Sequence, residues 1–150
     1  MDVEELLRRY AVGERDFSQI NIEASDELYR ANLSGINLSN SLVDEIFMEG
    51  SNLSGDNLGG TQLGQTCLRD TNLRGADLTN ADLRYANLDG ADLTEAKLIN
   101  TCLQNVLMRG TNFTDANLTG SEIEFIQEMV KGSIFCRTIM PDGSIYNGTI

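Results

Sequence analysis

A chain of 150 residues, 41% of them hydrophobic, has the length of one ordinary domain and enough apolar mass to bury a core. Its 11 basic and 23 acidic residues give a net charge of −12, which repels phosphates and argues against direct nucleic-acid binding. The chain has no His and no Trp, so the usual near-neutral general base, the commonest metal ligand and the best stacking platform are missing, and its three Cys are too few for a disulfide framework. No apolar run approaches the roughly 18 residues that span a bilayer, and Met1 to Arg9 is no signal peptide, so a soluble cytoplasmic protein is expected.

The first element in chain order is a short helix. Asp2 is placed to cap it, Glu4 and Glu5 suit its first turn, Arg8 and Arg9 suit its last, and Gly13 can end it. Val3, Leu6, Leu7 and Tyr10 fall on one face, so residues 1–14 read as a cap seated on the element that follows. Phe17 and Ile22 are one five-residue step apart and Leu28 lies six further on, which marks Ser25 as a one-residue insertion.

From Leu28 to Ile123 every fifth residue is apolar; fifteen of the twenty are Leu and the others are Val43, Met48, Met108, Phe113 and Ile123. At a background of 41% hydrophobic, such a run arises by chance with a probability on the order of 10⁻⁸, so the period organises residues 26–125. Two residues before each apolar position stands Ala, Ser or Thr in fifteen of the twenty cases, and Asn or Asp usually sits between, as in Asn32, Asn72, Asp77 and Asn87. Five helical steps of about 100° would rotate the next Leu by about 140°, and an odd period in a straight strand would throw alternate Leu to opposite faces. The chain must therefore turn a corner in every repeat. Three extended residues point the small and apolar side chains inward, and two more make the bend. Four such sides close a square of about 20 residues, and coils stack about 4.8 Å apart into an all-β solenoid filled with Leu.

Past Phe125 the phase fails. Ser121-Glu122-Ile123-Glu124 reads as a capping box, Ile123, Phe125, Ile126, Met129 and Val130 form an apolar stripe, and Gly132 offers a stop, so a short helix within 122–131 competes with a twentieth repeat. Ser133-Ile134-Phe135 and Thr138-Ile139-Met140 restore the pattern before the turn Pro141-Asp142-Gly143. That helix either caps the solenoid or interrupts it before a last half coil. The expected organisation is a single domain over 1–150: a helical cap at 1–14, repeats at 15–125 and a helix and turn cap at 126–150.

Ala76-Asp77-Leu78-Thr79-Asn80, Ala81-Asp82-Leu83, Ala86-Asn87-Leu88 and Ala91-Asp92-Leu93 resemble the pentapeptide-repeat family, whose pattern is Ala-(Asp/Asn)-Leu followed by two variable residues. The resemblance covers about two-thirds of the chain and implies a right-handed quadrilateral parallel β-helix. The opening Tyr10-Ala11-Val12-Gly13-Glu14-Arg15-Asp16-Phe17 and the closing Met140-Pro141-Asp142-Gly143-Ser144 are similar to those of bacterial, particularly cyanobacterial, members.

Departures from the pattern are the candidate functional residues. Asp26 and Asp56 occupy inward small-residue positions, where a buried carboxylate must pair, protonate or turn out; for Asp56 the permissive backbones of Gly55, Gly59 and Gly60 can widen a corner and let it hydrogen-bond free amides. Ile46 with Met48 and Val106 with Met108 predict a bulge or local repacking of the tube. Leu42, Phe47, Cys67, Cys102 and Leu107 stand outward on two adjacent sides where Asn or Asp belongs, and form the candidate interaction surface. Cys67 and Cys102 are 1.75 coils apart and are expected to be free thiols. No catalytic set, cofactor motif or metal loop is present, and Asp77, Asp82 and Asp92 lack the spacing of a calcium loop. The expected function is a non-catalytic structural or protein-interaction module, monomer or weak dimer, with an unknown protein partner and no direct contact with nucleic acid or membrane. The family resemblance implies an alternative, a DNA mimic that binds a type II topoisomerase such as gyrase. Residues 26–125 hold 15 acids and 6 bases, or −9, which favours mimicry, while Arg69, Arg74, Arg84 and Arg109 interrupt the acidic surface.

Overall fold

The computed structural model of the protein describes residues 1–23 and 28–150. Its repeats lie on one another with a spacing of one coil: Asn32 pairs in parallel with Asn52, Asn52 with Asn72, Asn72 with Asp92 and Asp92 with Asn112. Three further columns pass through Asn37, Leu42 and Phe47 and step by the same 20 residues from there to Asn117, Cys102 and Leu107. Four pairing columns at five-residue intervals define a four-sided coil, and the chain is a stacked β-solenoid.

Backbone hydrogen bonds account for this geometry residue by residue. Each apolar residue donates to the coil above, as Leu53 N does to Asn72 O (2.8 Å), and the residue before it donates to the coil below, as Asn72 N does to Ser51 O (3.0 Å). The small residue closes the corner within its own coil, as Thr61 N does on Leu58 O (3.1 Å). The fifth residue of the repeat adopts positive φ, whether Gly (Gly75, +66°) or not (Asn80, +60°; Tyr85, +63°), which explains the abundance of Gly, Asn and Asp there. Asn and Asp recur between the inward residues because their Oδ1 accepts the N–H two residues on, as Asp77 does from Thr79 (3.0 Å), and because the Asn72 amide donates to Asn52 one coil below (3.0 Å). Thr substitutes for Ala at the small position because its hydroxyl reaches a carbonyl of the coil below; Thr61 donates to Leu38 O and Thr101 to Leu78 O, each at 2.7 Å.

The apolar ladder is fully enclosed from Leu28 to Leu118, with every rung at 1% exposure or less. Burial of each side chain is worth about 1.5–3 kcal/mol, which makes the ladder the main stabilising term. Ile46, Met48, Val106 and Met108 are all buried, and the ladder passes Met48 unbroken (Met48 N to Cys67 O, 2.8 Å), so the tube takes up these larger pairs without a bulge.

Helix α1 spans Val3–Ala11; the Asp2 side chain accepts from Glu5 N (2.8 Å), and Val3 and Leu6 are buried on the first coil. Asp16 pairs with Asn37 and Asn21 with Leu42, both 21 apart, so that coil holds one additional residue. Ser25, the expected insertion, and Asp26 lie outside the described residues.

Strands β1 (Cys102–Leu103) and β2 (Glu122–Ile123) are a parallel pair on the Leu42 side. Helix α2 is a single turn, Gln127–Val130, and the solenoid continues beyond it: Asn112 pairs with Ile134 and Asn117 with Ile139, a step of 22. The helix thus occupies part of a coil that carries two additional residues. Val130 and Phe135 fill inward positions, and the Ser133 and Thr138 hydroxyls donate to Met108 O and Phe113 O as the Thr residues do below. The capping box at Ser121–Glu124 is not formed, because Ser121 is buried as the small residue of its repeat and Ile126 occupies the N-cap without a side-chain bond. Strand β3 (Ile134–Ile139) then turns at Pro141-Asp142-Gly143 into an antiparallel β4 (Ile145–Thr149), a return strand that the five-residue period does not contain.

Candidate interaction surfaces

The outward residues singled out by sequence are distributed as follows. Phe47 is 53% exposed and lies directly on Cys67, followed in the same column by Asn87 and then Leu107. Leu42 follows Asn21 in the adjoining column, where Gln62 and Asp82 separate it from Cys102. The structure thus brings Phe47 and Cys67 together, and polar residues divide Leu42, Cys102 and Leu107 from them. Cys67, Cys102 and Cys136 are free and half-buried.

Asp56 is 1% exposed, at an inward small position. Its Oδ1 accepts from Gly35 N (2.6 Å) and Ile36 N (3.1 Å), and its Oδ2 has no partner. The amides come from the corner of the coil below. Burial pushes its carboxyl up to about 8 against the pull of the two amides, so the acid is neutral at pH 7.

Charges on the outer faces are paired across coils. Arg109 holds Asp89 through Nε (3.0 Å) and Nη2 (2.5 Å), Lys97 faces Asp77 at 3.6 Å, Arg74 faces Asp92 at 3.3 Å, and Arg137 grips Asp115. Arg84 pairs within its own repeat with Asp82, and the bond to that guanidinium holds the Asp82 carboxyl below the usual range. Above Asp44 the missing side chain of Gly64 leaves a shallow polar recess of about 300 Å³ walled by Gln62, Gln65, Arg84 and Tyr85.

A second hollow, of about 420 Å³, lies at the C-terminal end between Ile123 and Phe125 on one wall and Met140, Pro141, Asp142, Ser144 and Tyr146 on the other. Phe135 anchors it from below, stacked on Phe113 (5.0 Å between centroids) and meeting Phe125 and Tyr146 edge-on at 6.0 and 6.1 Å. Phe125, Ile126, Ile134, Ile145 and Tyr146 are each at least 40% exposed. The period could not announce this surface, because its far wall is built by the turn after β3 and by Tyr146 of the return strand.

Stacked coils with an inward Leu ladder, Asx-turn sides and left-handed corners define a repeat β-solenoid. A model of the family described as pentapeptide repeats matches in eight copies, over residues 31–70, 57–94, 71–110 and 91–124, and the chain belongs to that family. Among solved structures, a pentapeptide repeat protein of the Arabidopsis thaliana thylakoid lumen is 33% identical over 64% of this chain and 67% of its own, with a TM-score of 0.63. Rfr23, a pentapeptide repeat protein of the cyanobacterium Cyanothece 51142, is 25% identical over 87% of this chain and 97% of its own, with a TM-score of 0.51. A search of the curated proteins found no match to the chain.

Proposed function

We propose that the protein is a non-catalytic interaction module: a single domain over 1–150, a right-handed square solenoid, that presents its surface to a protein partner in a bacterial cytoplasm of cyanobacterial type. The observation that carries this reading is the set of apolar side chains held at the surface of a hydrogen-bonded scaffold, Phe47 on Cys67 along one side and five further residues at the C-terminal end. Family membership supports it, since repeat solenoids act through extended surfaces. Asp56 is no candidate for catalysis, being sealed inside the tube at 1% exposure. The reading assigns the protein no cofactor, metal, nucleic acid or membrane contact, and a state of monomer or weak dimer.

The test is capture of a partner on immobilised protein, with wild type and Phe47→Asn combined with Leu107→Asn in parallel. A partner lost by the variant at an unchanged melting temperature supports the Phe47 side as the working surface. A partner retained moves the contact elsewhere on the rod, and a wild type that captures nothing specific refutes the interaction reading. Mimicry of duplex DNA toward gyrase is the second reading; the −12 charge supports it, and the pairing of the cations with Asp residues along the rod opposes it.

A further inference from the structure

The C-terminal hollow is the uncovered end of the apolar ladder. Rungs below it are sealed at 1% exposure or less, Leu103 and Leu118 among them, whereas Ile123 and Met140, the last on their two sides, are only partly buried. β4 covers β3 and so closes the Asn32 and Asn37 sides, but nothing among the described residues pairs with the outer edge of β2, whose one partner is β1. An open strand edge and an apolar recess therefore lie side by side, the two requirements for binding an extended peptide by strand addition.

The charge around the recess narrows the partner. Asp142 lines the recess, the exposed Glu122 and Glu124 flank Ile123 in the chain, with Glu122 accepting from Gln104 of the coil below (3.1 Å), and no residue lining the recess is a cation. We propose that this end is the docking groove for an extended segment of a partner protein that alternates apolar with basic residues; this rests on the interaction-module reading and names the chemistry of its partner. The segment pairs in parallel with β2, as β2 does with β1, and its apolar side chain lands on Ile123 between Phe125 and Tyr146, adding one rung to the ladder. Lys or Arg on either side of it faces the Glu122, Glu124 and Asp142 carboxylates.

The experiment is fluorescence anisotropy on the full chain with two labelled hexapeptides, Lys-Phe-Lys-Ile-Lys-Phe and its counterpart with Glu in place of Lys. The basic peptide is expected to bind with micromolar affinity and the acidic one at least tenfold more weakly. Tyr146→Ser should weaken the basic peptide at least tenfold. Glu122→Lys with Glu124→Lys, both exposed, removes the Gln104–Glu122 hydrogen bond but no buried side chain, and should keep the fold by circular dichroism and reverse the preference between the peptides. Failure of the basic peptide to bind at 200 µM (about 5 kcal/mol of affinity at most), or binding indifferent to these variants, overturns the proposal. So does sedimentation showing a dimer that Tyr146→Ser dissociates, because the groove is then filled by a second copy. A partner captured through Phe47 without peptide binding sinks the groove and leaves the interaction module standing, while loss of both removes the module as well.

Discussion

At Asp56 a carboxylic acid stands where the repeats before and after place Ser51 and Thr61, and its protonation is tied to stability. Its carboxyl is raised to about 8 in the folded chain, above the roughly 3.9 of an unfolded Asp. Between those values the native state holds a proton that the unfolded state has released, so the stabilisation is complete below about pH 4. It is lost as pH rises toward 8, by up to about 1.4 kcal/mol per pH unit. Asp77, Asp82, Asp92 and Asp115, all lowered, act in the opposite direction at acid pH, so the comparison must be with a variant. Asp56→Asn keeps an acceptor for the Gly35 and Ile36 amides and removes the titration; its melting temperature should exceed wild type at pH 8.5, by a margin that narrows as pH falls and closes only near pH 4. Equal melting temperatures across that range would contradict the neutral buried acid. The inward placement of Asp56 was legible from the repeat, but its partners were not, because contact with Gly35 and Ile36 exists only through the stacking of coils. Corner glycines carry the same lesson. Gly75 (φ +66°) has open space where a Cβ would stand, whereas at Gly90 (φ +71°) the Asp70 carboxylate one coil below occupies that space. Gly75→Ala should cost about 1 kcal/mol of left-handed strain, and Gly90→Ala more, measured by denaturant unfolding. Adding Asp70→Ala to Gly90→Ala should recover the excess.

The elements differ in how openly the sequence declares them. α1 was readable because Asp2, the Glu and Arg residues of its end turns and its single apolar face all agree, and the structure starts it one residue after Asp2. The coils were readable because twenty repeats state one rule. The C-terminal cap was not, for a physical reason: Ser121, read as the start of a capping box, is needed as the inward small residue of its coil, and β4 is held by pairing with β3 rather than by the five-residue phase. Phe135 joins these parts, stacking on Phe113 inside the ladder and touching Phe125 and Tyr146 at the end. Phe135→Ala should therefore destabilise by about 3–5 kcal/mol. Native-state amide exchange should show the loss concentrated in β3, β4 and the last coil, with Leu73 to Leu98 retaining protection. Uniform loss of protection along the whole rod would show instead that the solenoid opens as one unit.

For the whole molecule, the question is whether a net charge of −12 makes the rod a substitute for DNA. A duplex presents one negative charge for about every 1.7 Å of its axis with no cations interleaved. Here the Glu49, Arg69, Asp89, Arg109 column alternates in sign, Asp89 and Asp77 are each covered by a cation one coil above, and Asp92 by Arg74 one coil below. Pairing of this kind contributes only a few tenths of a kcal/mol per exposed pair to stability, but it cancels the field over neighbouring coils. A protein that binds through apolar surface should leave gyrase supercoiling unchanged at micromolar concentration. Salt-sensitive inhibition would establish mimicry in its place. A charge-stripped rod sharpens the comparison: Arg69→Gln, Arg74→Gln and Arg109→Gln together remove three exposed cations and take the net charge to −15. If the interleaved cations are what separates this surface from a duplex, inhibition should appear in the triple variant and not in wild type, at unchanged fold by circular dichroism. If neither protein inhibits, the spacing of the carboxylates, and not only their neutralisation, excludes this rod from the duplex-binding cleft.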